Sequence, residues 1–446
     1  MTLFKALVLL TAGMGIAASL QAQENFREAY EGFTRQNQQH YVQFTEANER
    51  FYAESLSSDW QEFNQARRDP LPVGDKPKRQ PGLKTQSGNR ESVAPKPTLP
   101  SAEPTANNDF FGHHVAPPPI AEALPRLKGL ERSQIAAFRS TFLRHPEFET
   151  LTLYTQFLAE RYTGDDWAAI QLLQTVCQQL YRLRFEQQAC SWILGQQRGL
   201  DIRLGRSVAG LELLVKSDQI WFDHPYFVLE GERFQVMDKA HYSQLANASL
   251  HIHSQAHPQA NRHTRIQLSR GLKPALKQLQ PSHLLWMGQA LSLDADHARY
   301  LSNLPVQAVG VYLHDALPAY LAEQLNLWVR PALAGLPSPE QVGMLLKWLQ
   351  NAPYSIDEEQ FGYEKPMTLS ELLYFQASDC EDRVYALAAV ARHLLNIPVA
   401  ALRYPNHLSA AVKISDQWQE ADPTFVGGGL GERQPAYWKT EPEWYY

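Results

Sequence analysis

Val384, Leu387, Ala388, Ala391 and Leu394 recur three and four positions apart, which predicts a helix over 379–395 with one buried face. Beyond it the period drops to two. Leu408, Ala410, Val412 and Ile414 alternate as in a half-buried strand that opens at His407. "VAALRY" (399–404) reads as a strand before it, with Pro405 and Asn406 as the connecting turn. Ser415 and Asp416 suit a second tight turn, after which "QWQEADPTF" returns antiparallel.

The N-terminal pattern differs. Phe26, Tyr30, Phe33, Tyr41, Phe44, Phe51, Trp60 and Phe63 fall mostly three, four or seven apart, predicting a helix with an aromatic stripe over 23–68. Its stripe can dock on the rest of the chain, on a second copy, or on a partner protein of the cell envelope; the oligomeric state stays open. Residues 69–118 are rich in Pro, Lys, Ser and Gln with few large apolar side chains, and a disordered linker is expected there. Residues 1–22 set Lys5 before an apolar run and small residues around Ala18 to Ala22, the layout of a secretory signal peptide. The mature chain is therefore expected to be exported, to the periplasm or outside the cell. The apolar run falls short of the roughly 20 residues of a membrane span.

The globular part carries a faint internal repeat. "GLDIRLGRSVAGLELLVKSDQIWFDHPYF" (199–227) runs beside "LNIPVAALRYPNHLSAAVKISDQWQEADPTF" (395–425). In each, a helix ends, two strands follow, and Ser-Asp-Gln turns the chain toward a closing strand. The expected fold class is α+β, with a degenerate copy and β-rich insertion at 119–330 and an intact helix-then-sheet unit at 331–446.

A chain of 446 residues with 44% hydrophobic content is long enough for two domains. Its formal net charge of −6 gives no bulk attraction to nucleic acid. Three cysteines permit one disulfide and one free thiol. Cys177 and Cys190 are close enough in sequence to pair, which leaves Cys380 free; equally, all three are consistent with reduced, buried thiols.

Ser378 and Glu381 fit the S-x-x-E capping box, placing Cys380 in the first turn, where unpaired N–H groups and the helix dipole favour a thiolate. Glu381 and Asp382 oppose this, so activation needs a cation, which His407 can supply. Folding the hairpin back brings Asp422 within about two positions of His407. Nucleophile at a helix start, base on one strand and orienting carboxylate on the next is the order that thiol catalysis uses. In the earlier copy, Arg184 or Phe185 stands opposite Cys380, Gly210 opposite His407 and His224 opposite Asp422, so no catalytic set survives there.

"FGYEKPMTLSELLYFQASDCEDRVYALAAVARHLLNIPVAALRYPNHLSAAV" followed by "ADPTF" resembles the transglutaminase-like superfamily of papain-like folds, and its "DCEDR" is similar to the bacterial transglutaminase-like cysteine proteinases of the periplasm. The resemblance spans about 340–430. It implies Cys380 as nucleophile, His407 as base and Asp422 as orienter. Asp379 stands where many members have Gly, and no oxyanion donor is evident; Tyr374 and Gln376 are the candidates upstream of the nucleophile. An exported cysteine peptidase or amidase, forming a thioester on a protein or peptide substrate, is the expected activity; a catalytically silent scaffold of the envelope is the alternative.

Other motifs are weaker. His251, His253, His257 and His263 suggest a metal site but lack Cys or carboxylate company and fit a solvated strand face, and "GGGLG" (427–431) lacks the strand and helix of a phosphate cradle. That glycine run is expected to be a loop beside Asp422. No cofactor and no metal are assigned.

Overall fold

The computed structural model describes residues 61–63, 67–68, 108–116, 118, 120–207, 210–238, 250–252 and 259–446. The fold is α+β, mixing helices with antiparallel sheets. Four helices, Arg132–Leu143, Phe148–Tyr162, Asp166–Leu180 and Arg184–Gln197, lead into the first sheet. Asp165 caps the third of them by accepting the Ala168 N–H at 2.8 Å. A disulfide between Cys177 and Cys190, with Cα atoms 6.0 Å apart, ties the third helix to the fourth, and Cys380 is the one free cysteine.

Among the described residues the first sheet has six strands, in the order Gln61–Phe63, Leu250–Ile252, Ile202–Ser207, Gly210–Lys216, Glu232–Val236 and Tyr226–Leu229. The second has four, in the order Gln417–Glu420, His407–Ile414, Val399–Tyr404 and Glu443–Tyr445. Ser415 and Asp416 both take positive φ, as a tight two-residue hairpin requires, and close the expected turn. The helix Cys380–Leu395 lies on the second sheet. Ala386, Ala388 and Ala391 of the helix and Ala401, Ala410 and Val412 of the sheet are all buried in one shared core.

Both sheets contain the same plan. Helix Arg184–Gln197 precedes a hairpin in which Ser207 pairs with Gly210, as helix Cys380–Leu395 precedes one in which Tyr404 pairs with His407. In each case a further antiparallel strand flanks the first strand of the hairpin, and a closing strand flanks the second. The closing strands continue alike: Met237 N–H donates to Leu213 O at 3.0 Å, and Ala421 N–H to Ala410 O at 2.8 Å. Extending these registers by one place sets Asp238 opposite Glu212 and Asp422 opposite Ser409. Asp238 therefore takes the position of Asp422. His224, expected there, is instead buried between Trp167 and Trp221 and bonded to Asp223. In the first sheet the Tyr226–Leu229 strand precedes the closing strand and pairs with it, which places His224 ahead of that pair.

Three expected boundaries move. Residues 319–333 form one helical run whose middle, Leu325–Val329, is π-helical, so the boundary expected between 330 and 331 falls inside it. Leu321, Leu325, Val329 and Leu333 recur every fourth residue on its buried side, joining one core that includes side chains from Phe110 to Ala421. The expected linker gives way at 109: Asp109–Phe110 pairs with His113–His114, Phe110 and Val115 are buried, and His113 stacks on Tyr162 at 4.3 Å. Within the helix expected over 23–68, Gln61–Phe63 is a strand paired with Leu250–Ile252; the rest of 23–60, the signal segment 1–22 and the linker from 69 to 107 lie outside the described residues. Among the described residues no helix is long and apolar enough to cross a membrane.

Candidate active site

Cys380 is the first residue of its helix, as its position after a capping residue requires, but the cap is one residue on from the expected one. Asp379 is the N-cap, and its N–H donates to Asp382 Oδ2 at 3.1 Å in a reciprocal capping box. Ser378 belongs to the preceding extended segment: it bridges to Tyr354, and its hydroxyl accepts from Arg383 Nε at 3.1 Å. Arg383 also donates to Ala352 O at 2.7 Å, which pins the segment before the helix.

His407 opens its strand, and Asp422 arrives beside it from the continued closing strand. The His407 Nε2 to Asp422 Oδ2 distance is 2.8 Å, with both side chains almost wholly buried. The other oxygen, Oδ1, accepts the N–H groups of Thr424 and Phe425, so the carboxylate is fixed by its own turn. With Nε2 engaged, Nδ1 is the ring nitrogen left to exchange a proton. Gln350 Nε2 donates to the carbonyls of Asp422, Phe425 and Gly428, anchoring the glycine loop beside the pair.

The Cys380 thiol is held far above its ordinary range, first by burial and then by Glu381, whose Oε2 accepts the thiol proton at 3.2 Å. A backbone hydrogen bond from Leu408, the neighbour of His407, acts in the opposite direction. Cys380 thus meets the strand that carries His407. The resting sulfur is a thiol.

A strap crosses this centre. Gln434 Nε2 donates to Asp422 Oδ2 at 2.8 Å and lies 3.4 Å from His407 Nε2, while the Tyr437 ring stacks on the His407 ring at 5.4 Å and 7°. Cys380, His407 and Asp422 are only 3%, 6% and 3% exposed, so a substrate reaches the sulfur only when covering groups move.

Beside the sulfur, Asp357, Asp379 and Glu381 each offer a carboxylate oxygen, all within 4.8 Å of one another. Asp357 Oδ1 and Asp379 Oδ1 are buried without a partner. Burial and mutual repulsion push the Asp357 carboxyl up to about 10, Asp379 well above the usual range, and the adjoining Asp382 to about 7. Crowded oxygens with unmet lone pairs are a donor set for a hard divalent cation such as Ca2+. The sequence, read alone, assigned no metal ligand.

The expected triad positions thus gather around one helix start and one strand pair. Tyr374 and Gln376 are placed otherwise. Tyr374 packs edge-to-face on Phe375 and its hydroxyl is influenced by Asp296, and Gln376 is exposed. His251 lies half-buried in its strand, His263 pairs with Asp218 at 2.6 Å, and His253 and His257 lie outside the described residues. Sequence reasoning missed Gln434, Tyr437, Gln350 and Asp357. Only Asp357, in the acidic "DEE" run shortly before the resemblance motif "DCEDR", carried a local signal. Compared with protein families, curated proteins and solved structures, the chain has no match.

Proposed function

We propose that the chain is an exported thiol hydrolase of transglutaminase-like type, a cysteine peptidase or amidase acting on a protein or peptide amide. The observation that carries this reading is the buried 2.8 Å His407–Asp422 bond on the strand whose Leu408 backbone meets Cys380 Sγ. In the proposed reaction His407 Nδ1 takes the thiol proton as Sγ bonds to the carbonyl carbon. The same proton passes to the leaving amine as the C–N bond breaks, giving a thioester. Water, deprotonated by His407, then releases the acid and restores the thiol. The N–H of Cys380, one of the first-turn donors that a helix leaves unpaired, is the proposed oxyanion donor in place of Tyr374 or Gln376.

The repeated helix-and-sheet plan supports reading the first sheet as a degenerate copy. Its Arg184, first in its helix like Cys380, forms ion pairs with Glu212 at 2.9 Å and Asp238 at 3.1 Å. An ion cluster would thus replace nucleophile and base while the aspartate position is kept.

A catalytically silent envelope scaffold is the second reading, favoured by the protonated, covered thiol. Incubating the wild type, Cys380→Ala and His407→Ala with a proteome-derived peptide mixture and Ca2+ separates them. New peptide termini or deamidated side chains produced by the wild type alone support the hydrolase. Identical spectra from all three leave the scaffold.

A further inference from the structure

At the far end of the Cys380 helix is a cavity of about 730 Å³ whose wall includes Ala389, Arg392 and His393. Arg392 is twelve residues past Cys380, roughly 18 Å along the axis at 1.5 Å per residue, so this cavity is separate from the cysteine site. Its size falls within the range of small-ligand pockets.

The lining has two chemistries. Leu272, Pro274, Leu276, Leu317, Pro318 and Ala322 make an apolar body. Arg270, Lys273 and Arg392 supply positive charge, in a chain whose net charge is −6. Each of the three bonds to backbone carbonyls: Arg270 to Leu317, Lys273 to Glu160, and Arg392 to Leu313 and Asp315. Their charges are thus positioned without being cancelled by those contacts. His314 and His393 add two further nitrogen heterocycles at the wall. The acidic group among these residues, Asp315, accepts from Ser269 through both carboxylate oxygens, at 3.1 and 2.5 Å, and offsets part of the Arg392 charge, which leaves Arg270 and Lys273 as the principal cations.

From this juxtaposition we infer that the cavity binds an anionic amphiphile, with a carboxylate or phosphate head held by Arg270, Lys273 and Arg392 and an apolar tail along the leucine and proline wall. Guanidinium groups suit both head groups through paired N–H donors. The apolar wall supplies the burial that inorganic anions cannot use.

Isothermal titration of the full chain with decanoate, decyl phosphate, decanol and inorganic phosphate tests this. Saturable one-to-one binding of either decyl anion is expected, with decanol and inorganic phosphate each weaker by about tenfold or more. The two anions separate a carboxylate from a phosphate ligand. Arg270→Gln with Lys273→Gln should weaken the anion about tenfold, and Ala322→Trp should weaken it by narrowing the wall without touching a charge. Melting curves check that both variants fold. Equal binding of decanol overturns the charged head, equal binding of inorganic phosphate overturns the tail, and indifference to both folded variants or no saturable binding overturns the site.

Discussion

Asp238 and Asp422 occupy the same place in two different sheets, each two residues beyond the strand that closes a helix-and-hairpin unit. What each aspartate meets differs. Asp422 holds a histidine, whereas Asp238 holds Arg184, which also neutralises Glu212. Glu212 is fully buried, and the Arg184 guanidinium lies 2.9 Å from its Oε2.

Arg184→Met should therefore be costly. Removing one partner of a buried ion pair typically destabilises by about 3–5 kcal/mol, and the one-third exposure of Arg184 puts the expected loss at the lower end. Adding Glu212→Leu should recover most of it. Chemical denaturation of the single and double variants measures both; equal loss in the two would show that the charge pair is not the cause.

The thiol gives a second test. Burial and Glu381 hold Cys380 protonated, so alkylation should stay slow through neutral pH and accelerate only above the ordinary cysteine range of about 8.5. Glu381→Gln removes a repulsive charge beside the sulfur, and should move the midpoint of the rate profile downward. An unmoved midpoint would show that Glu381 is not a cause, leaving burial and Asp422.

The crowded carboxylates link stability to pH. Asp357, Asp379 and Asp382 bind protons more tightly folded than unfolded, where the ordinary value is about 3.9. Their contribution is thus favourable in acid and is lost as pH rises from about 4 through 7 and toward 10. A divalent cation competes with those protons, so Ca2+ should raise the melting temperature more at pH 8 than at pH 5, and chelation should reverse the gain. At a hundredfold excess over Kd the stabilisation is about 2.7 kcal/mol. A Ca2+ effect independent of pH, or none in Asp357→Asn and wild type alike, would count against the cluster as its site.

Access to the sulfur supplies the fourth test. Tyr437→Ala removes the ring over His407, and Gln434→Ala removes a donor to the Asp422 carboxylate. Both should speed alkylation of Cys380, Gln434→Ala by about tenfold or more if its bond is worth what a hydrogen bond to a charged group is worth. Unchanged rates in folded variants would show that access runs past a different element.

The helix, its hairpin and the tight turn at Ser415–Asp416 were legible because periods of 3.6 and 2 and a short polar turn are local properties of the sequence. The convergence of His407 and Asp422 was legible for the same reason: once the turn is fixed, the register follows. Asp238 was not. An additional strand precedes the closing strand of the first sheet, so sequence spacing and sheet register do not run in parallel there, and matching by spacing selected His224. Gln434 and Tyr437 reach the site through a loop after the last meander strand, and nothing periodic announces a loop's destination. Cap residues differ by one position because Arg383 claims the Ser378 hydroxyl, a contact visible only after folding.

The helical run across 319–333 limits how the chain can be divided. A fragment starting at 331 would carry Leu333 into water without Leu321, Leu325 and Val329, and the remaining piece would expose those three along a severed helix. A protease or a cloning boundary placed there meets a helical run with one face packed in the core instead of a hinge.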